Sequence, residues 1–342
     1  MNSAELDPKQ PPVDEEVAEP GSGLPQSAKK VALFFLKYVV GISLIVWMVW
    51  TGKVDLSVLT RLPADLLLEA SVLTLVLTVL GAVRVRYILQ KQAIQTGVWQ
   101  CFLYNCAGIL YSAFLPGGIS GDAVRGYLFM KAVPNHRLAI LGAMVLDRVL
   151  GLVSMVFLGF LAACYMAITV TFIRPYLLGF GAIFFSLIGG VALLHFIGAR
   201  HSPEKQTAAE GFVERIWARV MQVIASLRIH DYPARVLAFV VLQSMFIHLL
   251  AVALIYICSV YAKSGLDFLG VFVATPIGLL VNAIPLSPGG LGIGENAFEL
   301  LYKTIGGQNG ATSFLLARVF LYSPALIGLV YVLIRMVTRR SK

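Results

Sequence analysis

Apolar residues run along this chain in blocks of about 20, the length that a helix needs to cross a hydrocarbon core of roughly 30 Å. Such blocks occupy Val31–Trp50, Leu66–Val83, Leu138–Ile168, Tyr176–Gly198, Ala234–Ala262 and Ala311–Val337. Two further runs, Trp99–Leu115 and Phe268–Leu286, stop at a Pro-Gly-Gly and are followed by short helical stretches to Met130 and Tyr302. Helices broken in this way are tolerated at membrane depth only where protein or a wet cavity covers the loose backbone. The pattern predicts an all-α polytopic membrane protein with about six full transmembrane helices and two re-entrant helical hairpins. Eight crossings is the competing count, if either hairpin crosses fully.

Composition agrees, with 58% hydrophobic and 13% charged residues, far from the quarter charged of soluble domains. Charge is unevenly spread. The chain carries +9 overall, but residues 1–28 hold six acids against Lys9, which leaves +14 for the rest. With five prolines and few large apolar residues, the segment 1–28 reads as a disordered acidic tail. It lacks the basic start and short apolar stretch of a signal peptide. Residues 29–342 form the membrane domain, with halves at about 31–168 and 176–337. They are joined by a polar stretch, 199–233, in which Phe212, Ile216, Trp217, Val220 and Ile224 recur at helical spacing as on an inner-leaflet amphipathic helix. Lys29, Lys30, Arg84, Arg86, Lys91 and the terminal Arg339, Arg340 and Lys342 place both termini in the cytoplasm of a cell (inner) membrane. Basic residues scattered among spans fit anionic headgroups and not nucleic acid. Cys101, Cys106, Cys164 and Cys258 lie in apolar runs without paired spacing, as buried thiols.

The two breaks resemble each other. Leu115-Pro116-Gly117-Gly118-Ile119-Ser120-Gly121-Asp122 and Ser287-Pro288-Gly289-Gly290-Leu291-Gly292-Ile293-Gly294-Glu295 share a Pro-Gly-Gly, small residues and an acid. An arginine inside a span follows each, in Asp147-Arg148-Val149 and Ala317-Arg318-Val319. Three crossings between the hairpins make the halves an inverted repeat, the usual pointer to a transporter site. Arginines at such depth need a partner. For Arg148 that partner is Asp122, the neighbouring Asp147, or a lipid phosphate; for Arg318 it is Glu295, a helix C-terminus, or the phosphate. Gly117, Gly118, Gly289 and Gly290 would turn helix-opening amides toward the same anion, with Ser287 as cap and Pro288 in the first turn. Asp122 and Glu295 either complement helix dipoles or serve gating or a cationic headgroup. Arg125 pairs with Asp122 at i+3. Asn105, Asn282 and Asn296 read as satisfying helix ends or loose hairpin backbone, and His195 and His248 as interior histidines.

Enzyme readings are weaker. Gly118-Ile119-Ser120-Gly121 matches the GxSG of intramembrane serine proteases, but four residues with two glycines are a loose pattern without an oriented base. Gly121-Asp122-Ala123-Val124-Arg125-Gly126 lacks the paired aspartates that would hold a metal for alcohol phosphotransfer. There is no Walker loop, zinc-binding histidine pair or dinucleotide fingerprint. The expectation is a non-enzyme without cofactor or metal.

Together, Asn105, Pro116-Gly117-Gly118, Gly121-Asp122-Ala123-Val124-Arg125, Asp147-Arg148-Val149-Leu150-Gly151 and Pro288-Gly289-Gly290-Leu291-Gly292-Ile293-Gly294-Glu295 resemble the lysylphosphatidylglycerol synthase transmembrane family. That family includes the flippase half of bacterial MprF proteins and stand-alone YbhN-like and AglD-like proteins. Aminoacyl transfer in MprF resides in a separate soluble domain, so the resemblance implies movement of a phospholipid or other glyco- or polyprenyl lipid between leaflets. It also implies a candidate partner, an enzyme that modifies lipids or glycans, which a non-transporting relative would position.

Overall fold

The computed structural model describes residues 42–114, 120–169, 232–284, 286–287 and 289–340, with positions 36, 39 and most of 178–192. The acidic segment 1–28, the polar stretch 199–231, and Pro116, Gly117, Gly118 and Pro288 lie outside the described residues. Nearly all of the rest is helix: α1 (Ala64–Lys91), α2 (Val98–Phe114), α3 (Ser120–Ala132), α4 (Arg137–Thr169), α5 (Ala234–Tyr261), α6 (Phe268–Asn282), α7 (Ile293–Thr304), α8 (Gly310–Tyr322) and α9 (Ala325–Arg340). Among the described residues, four helical stretches are long and apolar enough to cross a membrane: Ala64–Lys91, Pro134–Tyr165, Ala234–Tyr261 and Gly310–Thr338. The crossings expected at 31–50 and 176–198 are described only in part.

α1 shows why these segments are spans. Leu66, Ala70, Leu77, Val85, Ile88 and Leu89 are buried at helical spacing, while Leu67, Leu68, Val72, Leu75, Val76 and Val79 on its other faces are exposed. A helix apolar all round needs hydrocarbon as its solvent.

The order of elements repeats. α1 and α5 each have 28 residues, and each ends in the same left-handed turn, with Ala93 at φ 57° and Lys263 at φ 54°. The amide of Ile94 donates to Leu89 and that of Ser264 to Ser259, closing both helices by the same bond. A broken helical pair and a further span-length stretch follow in both halves.

α1 and α5 run antiparallel, since the Tyr232 hydroxyl donates to the Ile88 carbonyl at one end and the Tyr261 hydroxyl to Asp65 at the other. The α2–α3 pair therefore enters from the end where α1 stops, and the α6–α7 pair from the opposite end. Each pair folds back on itself. In the first, Tyr104 packs edge-on against Phe129 at 4.8 Å, and Gly108 and Gly121 are in backbone contact that a Cβ on Gly121 would block. In the second, Gly278 leaves room for the Phe298 ring, which stacks on Phe314 of α8 at 4.2 Å. α9 of the second half crosses onto the first hairpin, Gly328 lying against the Cys106–Ala107 backbone.

Two cores result. One gathers Ile88, Leu89, Phe102, Phe129, Ile140 and Tyr232 around the first hairpin, the other Leu66, Ile255, Cys258, Phe298, Tyr302 and Phe314 around the second. The end of the first core carries Arg86, Lys91, Lys131, Arg137, Arg235 and Arg335 without a carboxylate among the described residues. The other end mixes Asp55, Asp65 and Asp267 with Lys53, Arg61 and Lys263.

Two expectations require correction. The run expected as helix to Leu286 ends at Asn282. The next helix does not open on Ser287 and Pro288: it begins at Ile293 with Gly292 as cap, and the Ser287 hydroxyl instead donates to the Leu291 carbonyl at 2.8 Å. Gly289, Gly290 and Gly292 sit at φ 57°, 73° and 80°, a left-handed path along which a right-handed helix cannot propagate. The last span holds as one stretch, Gly310–Thr338, interrupted at Ser323–Pro324 between α8 and α9, because proline has no N–H to continue the ladder.

Candidate functional site

The polar residues of the first break form one network. Asp147, with no exposed side-chain surface, accepts from Arg84 Nε at 2.7 Å and from Arg125 Nη2 at 3.0 Å. Arg125 also donates to Asn105 Oδ1 at 3.1 Å and lies 3.3 Å from Asp122. Arg84 reaches Ser244 Oγ of α5 at 2.9 Å. Arg148 turns away from its chain neighbour and pairs with Asp122 at the opening of α3. Adjacent helical residues point about 100° apart, so Asp147 serves the bundle interior while Arg148 faces the hairpin. Three guanidinium groups meet two carboxylates, a surplus of one positive charge.

Arg125 thus does more than the intrahelical pairing expected of it. Arg84, read from the sequence as part of an interfacial basic cluster, belongs inside the bundle. α1 continues a further seven residues past it to Lys91, and Asp147 between helices needed a cation that its own neighbour could not supply. An arginine within a helical run, and a carboxylate deep in a span with no fitting local partner, are the signals for such a pair.

The Arg148 side chain is 60% exposed despite its pairing with Asp122, so it is open to a ligand from outside the protein.

At the second break the arginine is enclosed. Arg318 Nε donates to Glu295 Oε1 at 2.5 Å and Nη2 to Asn282 Oδ1 at 2.8 Å. Its other bonds go to the carbonyl oxygens of Gly289 and Gly290, and Phe314 lies under the guanidinium at 4.9 Å. Glu295 in turn accepts from the Gly292 amide at 2.7 Å, capping α7. One cation and one carboxylate cancel. Gly289 and Gly290 here present carbonyls to a cation, and the Gly290 amide donates to Ser287 O. The Gly290 amide, expected to face an anion, is thus engaged within the turn. Asn282, read as a helix-end residue, is the arginine's acceptor, placed there by the left-handed turn that brings Gly290 and Gly294 against it.

The last turn of α2 lies against the second break. A Cβ on Gly289 would stand 3.6 Å from the Ser112 carbonyl of the first hairpin and would collide with the Tyr322 hydroxyl. Gly117 and Gly118 lie outside the described residues. His248, one turn after Ser244, has its Nε2 3.0 Å from the Gly151 carbonyl beside Arg84, and His195 lies outside the described residues. No group of three metal-ligating side chains occurs among the described residues.

An all-α polytopic membrane protein with two broken helical hairpins, each carrying an arginine–carboxylate cluster at its turn, is the class that these features define. The sequence matches the family model described as Lysylphosphatidylglycerol synthase TM region over residues 34–328, and the chain belongs to that family. Comparison with curated proteins found no match. This is an integral membrane protein of lipid metabolism or transport.

Proposed function

We propose that the protein takes a phosphate-bearing amphiphilic lipid into the space between the hairpin tips and moves it between leaflets, with Arg148 as the phosphate ligand. The observation that carries this reading is the surplus guanidinium of the first network. A charged group among spans calls for a partner, and an anionic headgroup would neutralise the surplus that Asp122 and Asp147 leave. Asp122 then acts as the gate, holding Arg148 when no lipid is bound. Hairpins that enter from opposite ends supply two related routes to one centre, as an inverted repeat does. Arg318, Gly289, Gly290 and Glu295 form the fixed wall of the site, and Asp147 and Arg125 position the helices that carry Arg148. The carboxylate-free end faces the cytoplasm of the inner membrane, following the distribution of Lys and Arg. No chemical step, cofactor or metal enters this scheme.

The test uses the purified full chain in liposomes with NBD-labelled phosphatidylglycerol, following loss of fluorescence to external dithionite. Wild type should accelerate exchange, and Arg148→Ala should return it to the protein-free rate while staying monodisperse. Exchange at the wild-type rate by Arg148→Ala removes the arginine from the mechanism. A wild type that binds lipid without moving it would favour the reading of a membrane partner for a lipid- or glycan-modifying enzyme.

A further inference from the structure

At the end of the bundle away from the carboxylate-free face, α1 starts beside the end of α5. Between them opens a half-enclosed polar pocket of about 330 Å³, lined by Asp55, Arg61, Tyr261, Lys263, Asn309 and Thr312 among others. It sits at the level of interfacial groups: Lys53 lies over the Trp47 ring at 4.0 Å and Trp50 is 85% exposed, the amphipathic belt of a membrane surface.

The neutral polar groups of this pocket are occupied in building it. Asn309 Nδ2 donates to the Ala262 carbonyl at 2.9 Å. Thr312 Oγ1 accepts from the Asp55 amide at 3.1 Å, and the Tyr261 hydroxyl donates to Asp65. Asp55 itself accepts from the Ser57 amide at 2.8 Å, and its carboxyl is held below the usual range chiefly by Ser57. Two side chains differ. Arg61 and Lys263 make no ion pair among the described residues, although Lys263 is held in a left-handed conformation, φ 54°, at the rim.

We propose that this pocket is a second, interfacial binding site for a phosphate group, bridged by Arg61 and Lys263, where a lipid headgroup rests at the membrane surface. The carboxylates nearby are engaged elsewhere, Asp55 by the Ser57 amide and Asp65 by the Tyr261 hydroxyl, so Arg61 and Lys263 are the two cations that face the ligand. The volume is that of a small-ligand site and accommodates a glycerophosphate headgroup, whose acyl chains would remain in the bilayer beside α1. As a station on the transport path the site rests on the preceding reading; as a binding site it does not.

The experiment is thermal unfolding of the full chain in detergent, titrated in parallel with dihexanoyl-phosphatidylglycerol and with inorganic phosphate. Wild type should show a saturable rise in Tm with the lipid. The Arg61→Ala/Lys263→Ala double variant should need roughly tenfold more lipid for half the effect, a loss of about 1.4 kcal/mol. Arg61→Lys should recover part of it, and Arg148→Ala should lower the affinity of this site little. A comparable rise with inorganic phosphate alone supports the site and assigns its ligand as the free ion. A midpoint in the double variant within twofold of wild type overturns the proposal. A midpoint that moves only in Arg148→Ala also overturns it, and assigns the binding to the hairpin tips.

Discussion

Arg148 and Arg318 stand 170 residues apart in equivalent helices, after equivalent breaks, but their surroundings are opposite. Arg318 is 9% exposed and bonded to a carboxylate, an amide oxygen and two backbone carbonyls. Arg148 is 60% exposed and holds one carboxylate that it shares with Arg125. The difference arises one residue earlier. Asp147 precedes Arg148 and draws Arg84 and Arg125 into the bundle, whereas Ala317 precedes Arg318 and leaves the arginine to neutralise Glu295 itself. A repeat can keep the residue and divide the roles, one copy structural and the other free for a ligand.

The strongest challenge to that division is Asp147→Ala, which strips the carboxylate from Arg84 and Arg125 at once. Breaking one buried pair costs about 3–5 kcal/mol, so this variant should lose most of its cooperative thermal transition. A Tm close to wild type would show that the network is not what holds α1, α3 and α4 together. Next comes Arg318→Ala, expected to destabilise by about 3 kcal/mol, since Glu295 is left buried with only the Gly292 amide. Unchanged stability with lost lipid exchange would reverse the roles assigned to the two arginines. Gly310→Ala follows, at about 1–3 kcal/mol: its Cβ would overlap the Phe298–Glu299 backbone and push α8 off α7, a shift readable in thermal unfolding. Arg148→Ala should change stability by less than about 1 kcal/mol, as for an exposed pair, while abolishing exchange. The smallest effect is Asp122→Asn, which leaves Arg148 unpaired. It should raise retention of anionic lipid on purification severalfold with little change in Tm, and lower retention would contradict the gate.

Much of this was legible in one dimension. The spans followed from apolar runs, the breaks from Pro-Gly-Gly, and the charged residues of interest from their depth in those runs. Asp122 and Glu295 were readable as partners of Arg148 and Arg318, because each acid opens the short helix that follows its break. Ser287 was misread as a cap since local rules name several capping residues, and only the path of Gly289, Gly290 and Gly292 selects the one used.

What the sequence determined alone is what depends on local chemistry: which segments prefer hydrocarbon, where helical hydrogen bonding must stop, and which residues carry charge into the membrane. Tertiary structure decided the pairings. Arg84 reaches Asp147 across 63 residues and Ser244 across 160, and Asn282 reaches Arg318 across 36. No spacing rule connects such positions. Coulomb attraction in a low-dielectric interior is strong, but it acts between whichever groups helix packing brings within reach. That packing depends on glycines such as Gly121, Gly278 and Gly328, whose missing side chains let helices approach, and through it on which arginine is enclosed and which is left open.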